Sequence, residues 1–415
     1  MRKVLKSLCA FSFYCVFCFH GKAQEYFDYQ ATTPCDPRVI SAMAPYWTKE
    51  FGNPHAHHAF GERAAAALLK ARQQIADILG GKTRDWIFTS GATEANALAI
   101  KGVMLAAPYG KKHLITCVTE HKSVLDTCRF LAQQGCKVTV LPVDREGHLS
   151  LTLLKKAIRP ETMLVSIMAA NNEIGVIHPL SQIAKICHDR GVLLHTDATQ
   201  AIGQIPFSIS LTHADLVSFS GHKIYCPKGI GALYVAPHVV LTPLFHGGGQ
   251  ERGLRAGTVP VPLCVGLAKA LEIAEEKRST ESQRLSLLQK AFLQRLRTLK
   301  GWCLNGSLKE RLPNNLNISI EGVDSEDLLA ALSEFALSTG SACNSDIHFS
   351  HVLEALDPEG ILPPATLRIS FGRYTTEVSV HRLADRLIET VEKLRHIKPF
   401  GGKRACKTKK GMIAH

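Results

Sequence analysis

The sequence predicts an α/β protein in which a large unit built on a mostly parallel sheet precedes a smaller α+β unit. Three observations predict it. From Trp86 to about Val235, short apolar runs alternate with stretches of helical apolar spacing. A long polar–apolar helical stretch, about Val261 to Leu299, then leads out of that block. Beyond it the order reads strand, helix, strand, helix. A length of 415 residues suits two domains, and 46% hydrophobic residues supply a sizeable core.

The strand-like runs are Trp86–Thr89, His113–Val118, Val138–Leu141, Met163–Met168, Val192–His195, Leu216–Ser220 and Gly231–Val235. Between them, Thr93–Leu105, Ser123–Gln134, Leu151–Ala157 and Leu180–Asp189 carry the 3.6-residue period. Strands joined through helices of that length imply right-handed crossovers and a sheet buried on both faces. After the long helix come a strand at Asn315–Ile320, a helix at Ser325–Phe335, a strand at Leu367–Phe371 and a helix at Thr376–Leu394. No internal repeat is present. The expected division is an extension over 1–24, a large domain over 25–275 whose first residues pack with the small one, a small domain over 276–400, and a basic tail over 401–415.

The extension has a grammar of its own. Met1-Arg2-Lys3 and Lys6 precede the apolar run Leu8 to Phe19 and then Gly21-Lys22-Ala23. That is the order of a signal peptide, and the run is too short to span a bilayer as a helix. A targeting segment, a lipid-associating extension and a start placed upstream of the true one are all open readings. Under each, the folded chain begins near Glu25.

Forty-nine Lys and Arg against 36 Asp and Glu give a net charge of +13, which suits an anionic ligand. Nucleic-acid binding needs a dense basic stripe with a reading motif. The only basic run is the tail Lys403, Arg404, Lys407, Lys409, Lys410, which reads as a solvated terminus. Thirteen cysteines are too dilute for a disulfide scaffold and show no paired spacing beyond the first twenty residues. A reducing compartment, the cytoplasm, is expected, with no stable membrane span.

In an open parallel sheet, ligands gather outside the carboxyl ends of the strands. After Trp86–Thr89 comes Ser90-Gly91-Ala92-Thr93-Glu94-Ala95-Asn96, whose small residues let an anion approach the N–H groups opening the next helix. It matches neither a Walker loop nor GxGxxG, and taken alone it reads better as an ordinary strand-to-helix turn capped by Thr93. Val192–His195 leads to Thr196-Asp197-Ala198-Thr199-Gln200, where a carboxylate closing an apolar strand needs a cation or a helix to cap. Leu216–Ser220 leads to Gly221-His222-Lys223, where desolvation would lower a lysine's proton affinity toward that of a nucleophilic amine, and Ser220 and His222 can donate to a phosphate. A phosphate turn, a strand-end Asp and a strand-end Lys together are the parts needed to hold pyridoxal phosphate (PLP). The conjunction is far more specific than its members.

At these residues the sequence resembles the cysteine desulfurases of the NifS/IscS type, within the class-V aminotransferase family. The likeness runs from Tyr26-Phe27-Asp28-Tyr29-Gln30-Ala31-Thr32-Thr33-Pro34 to about Leu394. It includes Phe51-Gly52-Asn53-Pro54, Glu120-His121-Lys122, Asn171-Asn172-Glu173-Ile174-Gly175, His246-Gly247-Gly248-Gly249-Gln250-Glu251-Arg252 and Ser341-Ala342-Cys343. The resemblance implies PLP fold-type I and a homodimer with its active site at the subunit interface. It implies Lys223 as the Schiff-base lysine, Asp197 on the pyridine nitrogen, Gln200 and Asn172 near the ring hydroxyl, and His121 stacked over the ring. Ala92, Thr93, Ser220, Gly221 and His222 would surround the phosphate, and Thr258 would reach the phosphate of the other subunit. Arg368 would clamp the substrate carboxylate, with Asn172 beside it.

Cys343, in a small polar segment, is implied to carry the persulfide. The other cysteines, such as Cys117 within a strand run, read as inert thiols. No second CxxC or Cys/His quartet accompanies Cys343, so no permanent metal site is expected, and a transient iron–sulfur cluster ligand is the most it would be. Two departures from the family pattern stand out. Asn344-Ser345-Asp346-Ile347-His348-Phe349-Ser350 is more polar and bulky than the Thr, small residues and Pro of better-known members. His55, His57 and His58 stand where a Ser/Arg mixture is expected. The expected activity is conversion of L-cysteine to L-alanine, with His121 taking the substrate thiol proton and the persulfide sulfur passing to an acceptor such as an iron–sulfur scaffold protein or another thiolation partner. The alternatives on the same scaffold are a selenocysteine lyase or a class-V aminotransferase, and, outside enzymes, a sulfur-relay protein with a degenerate site.

Overall fold

A computed structural model describes residues 24–339, 350–363 and 365–397. Its centre is a seven-stranded sheet in the order Trp86–Thr89, Gly231–Val235, Leu216–Ser220, Leu193–Asp197, Thr162–Ser166, His113–Cys117, Lys137–Leu141. All pairings are parallel except those of Gly231–Val235, which is antiparallel to both neighbours. The reason is chain length. A parallel crossover needs a dozen or more residues. Between Ser220 and Gly231 there is only a short 3-10 turn, Gly221–Lys223, and the loop after it.

Period-two alternation sorts the strand side chains onto two faces. Ile87, Leu114, Leu164, Leu216 and Leu233 pack with the helices Ala92–Ala106 and Lys122–Gln133. Trp86, Phe88, Ile115, Val165, Val217 and Phe219 pack on the opposite side with Ala59–Leu79 and the long helix Val261–Leu296. That helix joins the two units. Cys264, Leu267 and Leu271 lie in the core of the large sheet, whereas Leu285, Leu288, Phe292 and Leu296 lie in a second core.

The second core is built on a three-stranded antiparallel sheet, Ala365–Ser370, Asn315–Ile320 and Trp302–Leu304, covered by Ser325–Ala331 and Glu377–Ile397. The helix expected over Ser325–Phe335 stops at Ala331, because Phe335–Ala336 pairs with the N-terminal strand Glu25–Tyr26 instead. Phe27 follows that strand into the second core, between Phe335 and Phe371. The first described residues are thereby bound to the C-terminal unit.

Among the described residues three histidines are buried, His113 and His195 on strands of the large sheet and His178 in a loop. Burial depresses the proton affinity of each to a pKa of about 4. The folded protein therefore keeps them neutral, whereas the unfolded chain protonates them below its ordinary imidazole pKa of about 6.5. Stability should be level above that value and fall steadily as pH drops from about 6.5 toward 4. The urea midpoint at pH 5 is expected to lie clearly below that at pH 7, and equal midpoints would contradict the neutral burial of these rings.

Candidate active site

The carboxyl ends of the parallel strands carry the polar residues singled out in the sequence. Gly91 connects Trp86–Thr89 to Ala92–Ala106 at φ 154°, leaving the first N–H groups of a 15-residue helix without a side-chain cap. A Cβ on Gly91 would lie 3.6 Å from Ser220 Oγ, so this turn and the end of the Leu216–Ser220 strand form one concavity. Gly231 keeps the two close. A Cβ there would meet Gly91 Cα at 2.7 Å and the Phe219 carbonyl at 2.5 Å. Ser90 N–H donates to Glu94, and Arg255 holds that carboxylate at 2.9 Å, fixing the turn from outside.

Lys223 follows Ser220 on the Gly221–Lys223 turn, and its Nζ donates to the carbonyls of Gln30 and Ala31, both at 2.6 Å. Gln200 Nε2 donates to the same Gln30 carbonyl at 3.2 Å. His222 Nδ1 lies 3.0 Å from Thr32 Oγ1. Burial first, then Lys223 and Lys228, lower its pKa to about 4, so at neutral pH it is an uncharged ring. The segment Gln30–Thr32 thus forms a wall against the lysine turn, a contact across about 190 residues.

Asp197 ends the Leu193–Asp197 strand almost fully buried and accepts from Thr199 N–H at 3.0 Å and from Asn96 Nδ2 at 2.7 Å. The second hydrogen of Asn96 Nδ2 goes to Ser123 Oγ at 3.0 Å. Ser123 Oγ in turn lies 2.8 Å from His121 Nδ1. A hydrogen-bonded chain therefore runs from Asp197 through Asn96 and Ser123 to His121. The sequence pattern places Asn96 in the small-residue turn without assigning it a role. Its signal was a buried amide on the helix face that opens behind a small-residue turn.

His121 caps the Lys122–Gln133 helix, and Ser123 N–H donates to its Nδ1 at 3.1 Å. A backbone N–H only donates, so Nδ1 carries the lone pair and the neutral ring keeps its proton on Nε2. Burial lowers its proton affinity; Lys223 and His351 push the same way against Asp197 and Glu173. Neutral His121 is therefore a donor at Nε2. The expectation that it takes a thiol proton conflicts with this bonding, because its one lone pair is already engaged by the helix it caps.

Arg368 lies on Ala365–Ser370 with its side chain 2% exposed. Nη1 donates to the Asn172 carbonyl at 3.0 Å and Nη2 to Asp28 at 2.8 Å, while Nε is buried without a partner. A cavity of about 430 Å³ opens beside these groups, its lining including Thr93, His121, Ser123, Asn172, Glu173 and His351. Thr258 stands exposed on the surface rather than in the cluster. Cys343 lies outside the described residues. No group of His, Cys, Asp and Glu among the described residues could hold a metal ion.

These residues fit PLP by the chemistry of their donor set. A buried carboxylate whose two bonds above come from neutral donors, an amine on a strand-end turn, and a free helix N-terminus beside a hydroxyl converge on one side of the sheet. The buried hydroxyls of Thr196 and Thr199, flanking Asp197, have no partner.

Comparison with known proteins agrees in scale. The profile of the family described as aminotransferase class-V matches residues 25–383. The chain is 48% identical over 380 residues to a protein of Rickettsia felis named cysteine desulfurase IscS, covering 90% of this chain and 93% of that one. Among solved structures it is similar to a NifS-like protein, at 37% identity and a TM-score of 0.84, covering 89% of this chain and all of the other. It is also similar to SspA in complex with cysteine, at 38% identity and a TM-score of 0.75, covering 85% of this chain and all of that one.

Proposed function

The chain belongs to the class-V aminotransferase family, and from that premise we propose that it is a cysteine desulfurase, releasing L-alanine from L-cysteine and retaining the sulfur as a persulfide on Cys343. The observation that carries this reading is the meeting of Lys223, Asp197 and the Gly91 turn at one end of the sheet, in a chain that resembles named desulfurases along most of its length. PLP is the cofactor on this reading: Lys223 would hold its aldehyde carbon, Asp197 its ring nitrogen, and the turn at Gly91–Thr93 with Ser220, Gly221 and His222 its phosphate. When bound, it supplies a sink for the electrons released at the substrate's Cα.

This chain's own residues do the rest. Lys223 Nζ, held against two carbonyls, is the amine that moves the Cα proton. Arg368 holds the substrate carboxylate, giving up or sharing its pairing with Asp28, and Asn172 lies beside it. His121 offers an Nε2–H to bound groups. The Cys343 thiolate attacks the substrate sulfur, so that an S–S bond forms as the C–S bond breaks. A second copy of the chain completes the site, with Thr258 reaching across; the exposed aromatic residues Trp47, Phe51 and Phe60 support such an interface. On this reading the domain division falls near residue 275, where the long helix passes from one core to the other.

The persulfide is then passed to a protein acceptor, such as an iron–sulfur scaffold. All eight cysteines among the described residues are free thiols, and no described helix is long and apolar enough to cross a membrane. The free thiols support a cytoplasmic setting.

The test is incubation of the purified holoenzyme with L-cysteine, without and then with a reductant. One persulfide per chain and then steady alanine release are expected; formation of neither one would overturn the reading. In the same assay Arg368→Ala should raise KM tenfold or more, since a charge-assisted pair contributes about 1.5–3 kcal/mol. An unchanged KM would remove Arg368 from the substrate site.

A further inference from the structure

Two imidazoles line the cavity that Thr93 and Asn172 also border, and only one has a lone pair to offer. The lone pair of His121 is held by Ser123 N–H, as shown above. His351 is set the other way round. Its Nε2 lies 3.0 Å from the Glu120 carbonyl oxygen, which can only accept. The neutral ring therefore has its proton on Nε2 and its lone pair on Nδ1, and Nδ1 makes no hydrogen bond among the described residues.

The fold holds this ring firmly. His351 is the first residue of the helix His351–Leu356, which Ser350 caps by accepting from Val352 N–H at 3.1 Å. Ser350 Oγ also donates to Glu173, and Val352, Leu353 and Leu356 are buried against Ile174 and Val176. The helix is thus packed directly on the Asn171–Gly175 segment beside the site. The charged groups sharing the cavity with His351 are Lys101, Lys122, Asp126 and Glu173. Glu173 makes a poor base for a thiol, because a carboxylate is ordinarily about four pH units less basic than a thiolate, whereas imidazole is far closer.

We propose that His351 is a further catalytic residue of the desulfuration, accepting at Nδ1 the thiol proton of bound L-cysteine as its sulfur departs. The proposal rests on the desulfurase reading. In this step the C–S bond breaks with its electron pair passing to the carbon skeleton, and the S–S bond to the attacking thiolate forms. The S–H electron pair stays on sulfur, and the proton moves to nitrogen.

His351→Gln in the full holoenzyme keeps a donor for the Glu120 carbonyl and loses the proton acceptor; His351→Asn repeats the test with a shorter amide. With L-cysteine, kcat is expected to fall on the order of 100-fold while KM changes little, since positioned acid–base groups contribute about 10²- to 10⁴-fold. The absorbance change on binding L-cysteine should survive. L-selenocysteine, whose selenol is already ionised near neutral pH, should be turned over at nearly the wild-type rate, and raising the pH should recover part of the loss on cysteine. Equal losses on the two substrates, or no loss on cysteine, would overturn the role of His351. Wild-type enzyme making neither alanine nor persulfide would overturn the desulfurase reading instead, and needs no variant to be seen.

Discussion

Lys223→Ala protein should be colourless, should keep its fold, and should release no alanine from L-cysteine. Nζ of Lys223 is the amine at the centre of the strand-end cluster, fixed by the Gln30 and Ala31 carbonyls. On our reading it both holds the cofactor and moves the Cα proton, so its removal forfeits two contributions at once. The proton-moving role alone is worth about 10²- to 10⁴-fold. The measurements are the visible absorbance of the purified protein, its melting profile and its alanine output. Yellow, active Lys223→Ala protein would dismiss the cofactor assignment. Lys223→Arg is the sterner control, because it keeps a cation against both carbonyls and removes the nucleophilic amine.

Cys343→Ser should separate binding from chemistry. The contacts proposed for the substrate carboxylate and amine involve Arg368 and Lys223, not the thiol, so L-cysteine should still bind and shift the absorbance. Turnover should then stop, because a serine hydroxyl stays protonated near neutral pH, where a thiol is a few per cent ionised. The described residues on both sides of this segment are tied to the site: Ser338 hydrogen-bonds Asp28 and the Arg368 backbone, and His351 hydrogen-bonds Glu120. Mass spectrometry of wild-type protein given cysteine without reductant should place one persulfide on the Cys343 peptide. Steady alanine production by Cys343→Ser, or a persulfide mapped to another cysteine, would reassign the role. Cys117, Cys128, Cys187, Cys226 and Cys264 are poor competitors, since burial raises the pKa of each thiol and suppresses the reactive thiolate.

Much of the fold was legible because local pattern and local structure coincide in the central block. Each strand from Trp86–Thr89 to Gly231–Val235 is bounded by turn or helix signals, and its alternation matches the two cores found around the sheet. The helix Ala59–Leu79 is not among the elements expected from the sequence, since it precedes the block in which strands and helices alternate. The end of Ser325–Ala331 differs from the expectation for another reason. Leu332 to Phe335 continue an apolar spacing that a helix would also show, and pairing with Glu25–Tyr26, some three hundred residues away, decides against it.

By itself the sequence determined the chemistry that this protein brings to its strand ends: a lysine, an aspartate and a small-residue turn, each placed by a strand of local pattern. Tertiary structure alone decided how those groups are wired. The antiparallel setting of Gly231–Val235 packs the Gly91 turn against Ser220. Asn96 joins Asp197 across 101 residues and Ser123 across 27, and His351 reaches the Glu120 carbonyl across 231. The last of these settles that the neutral ring of His351 carries its proton on Nε2 and can accept at Nδ1, whereas the ring of His121 is set locally, by the Ser123 N–H of the helix it caps. Periodicity describes only neighbours along the chain, whereas the protonated state of a buried ring is set by whatever donor or acceptor the fold brings within 3 Å of it.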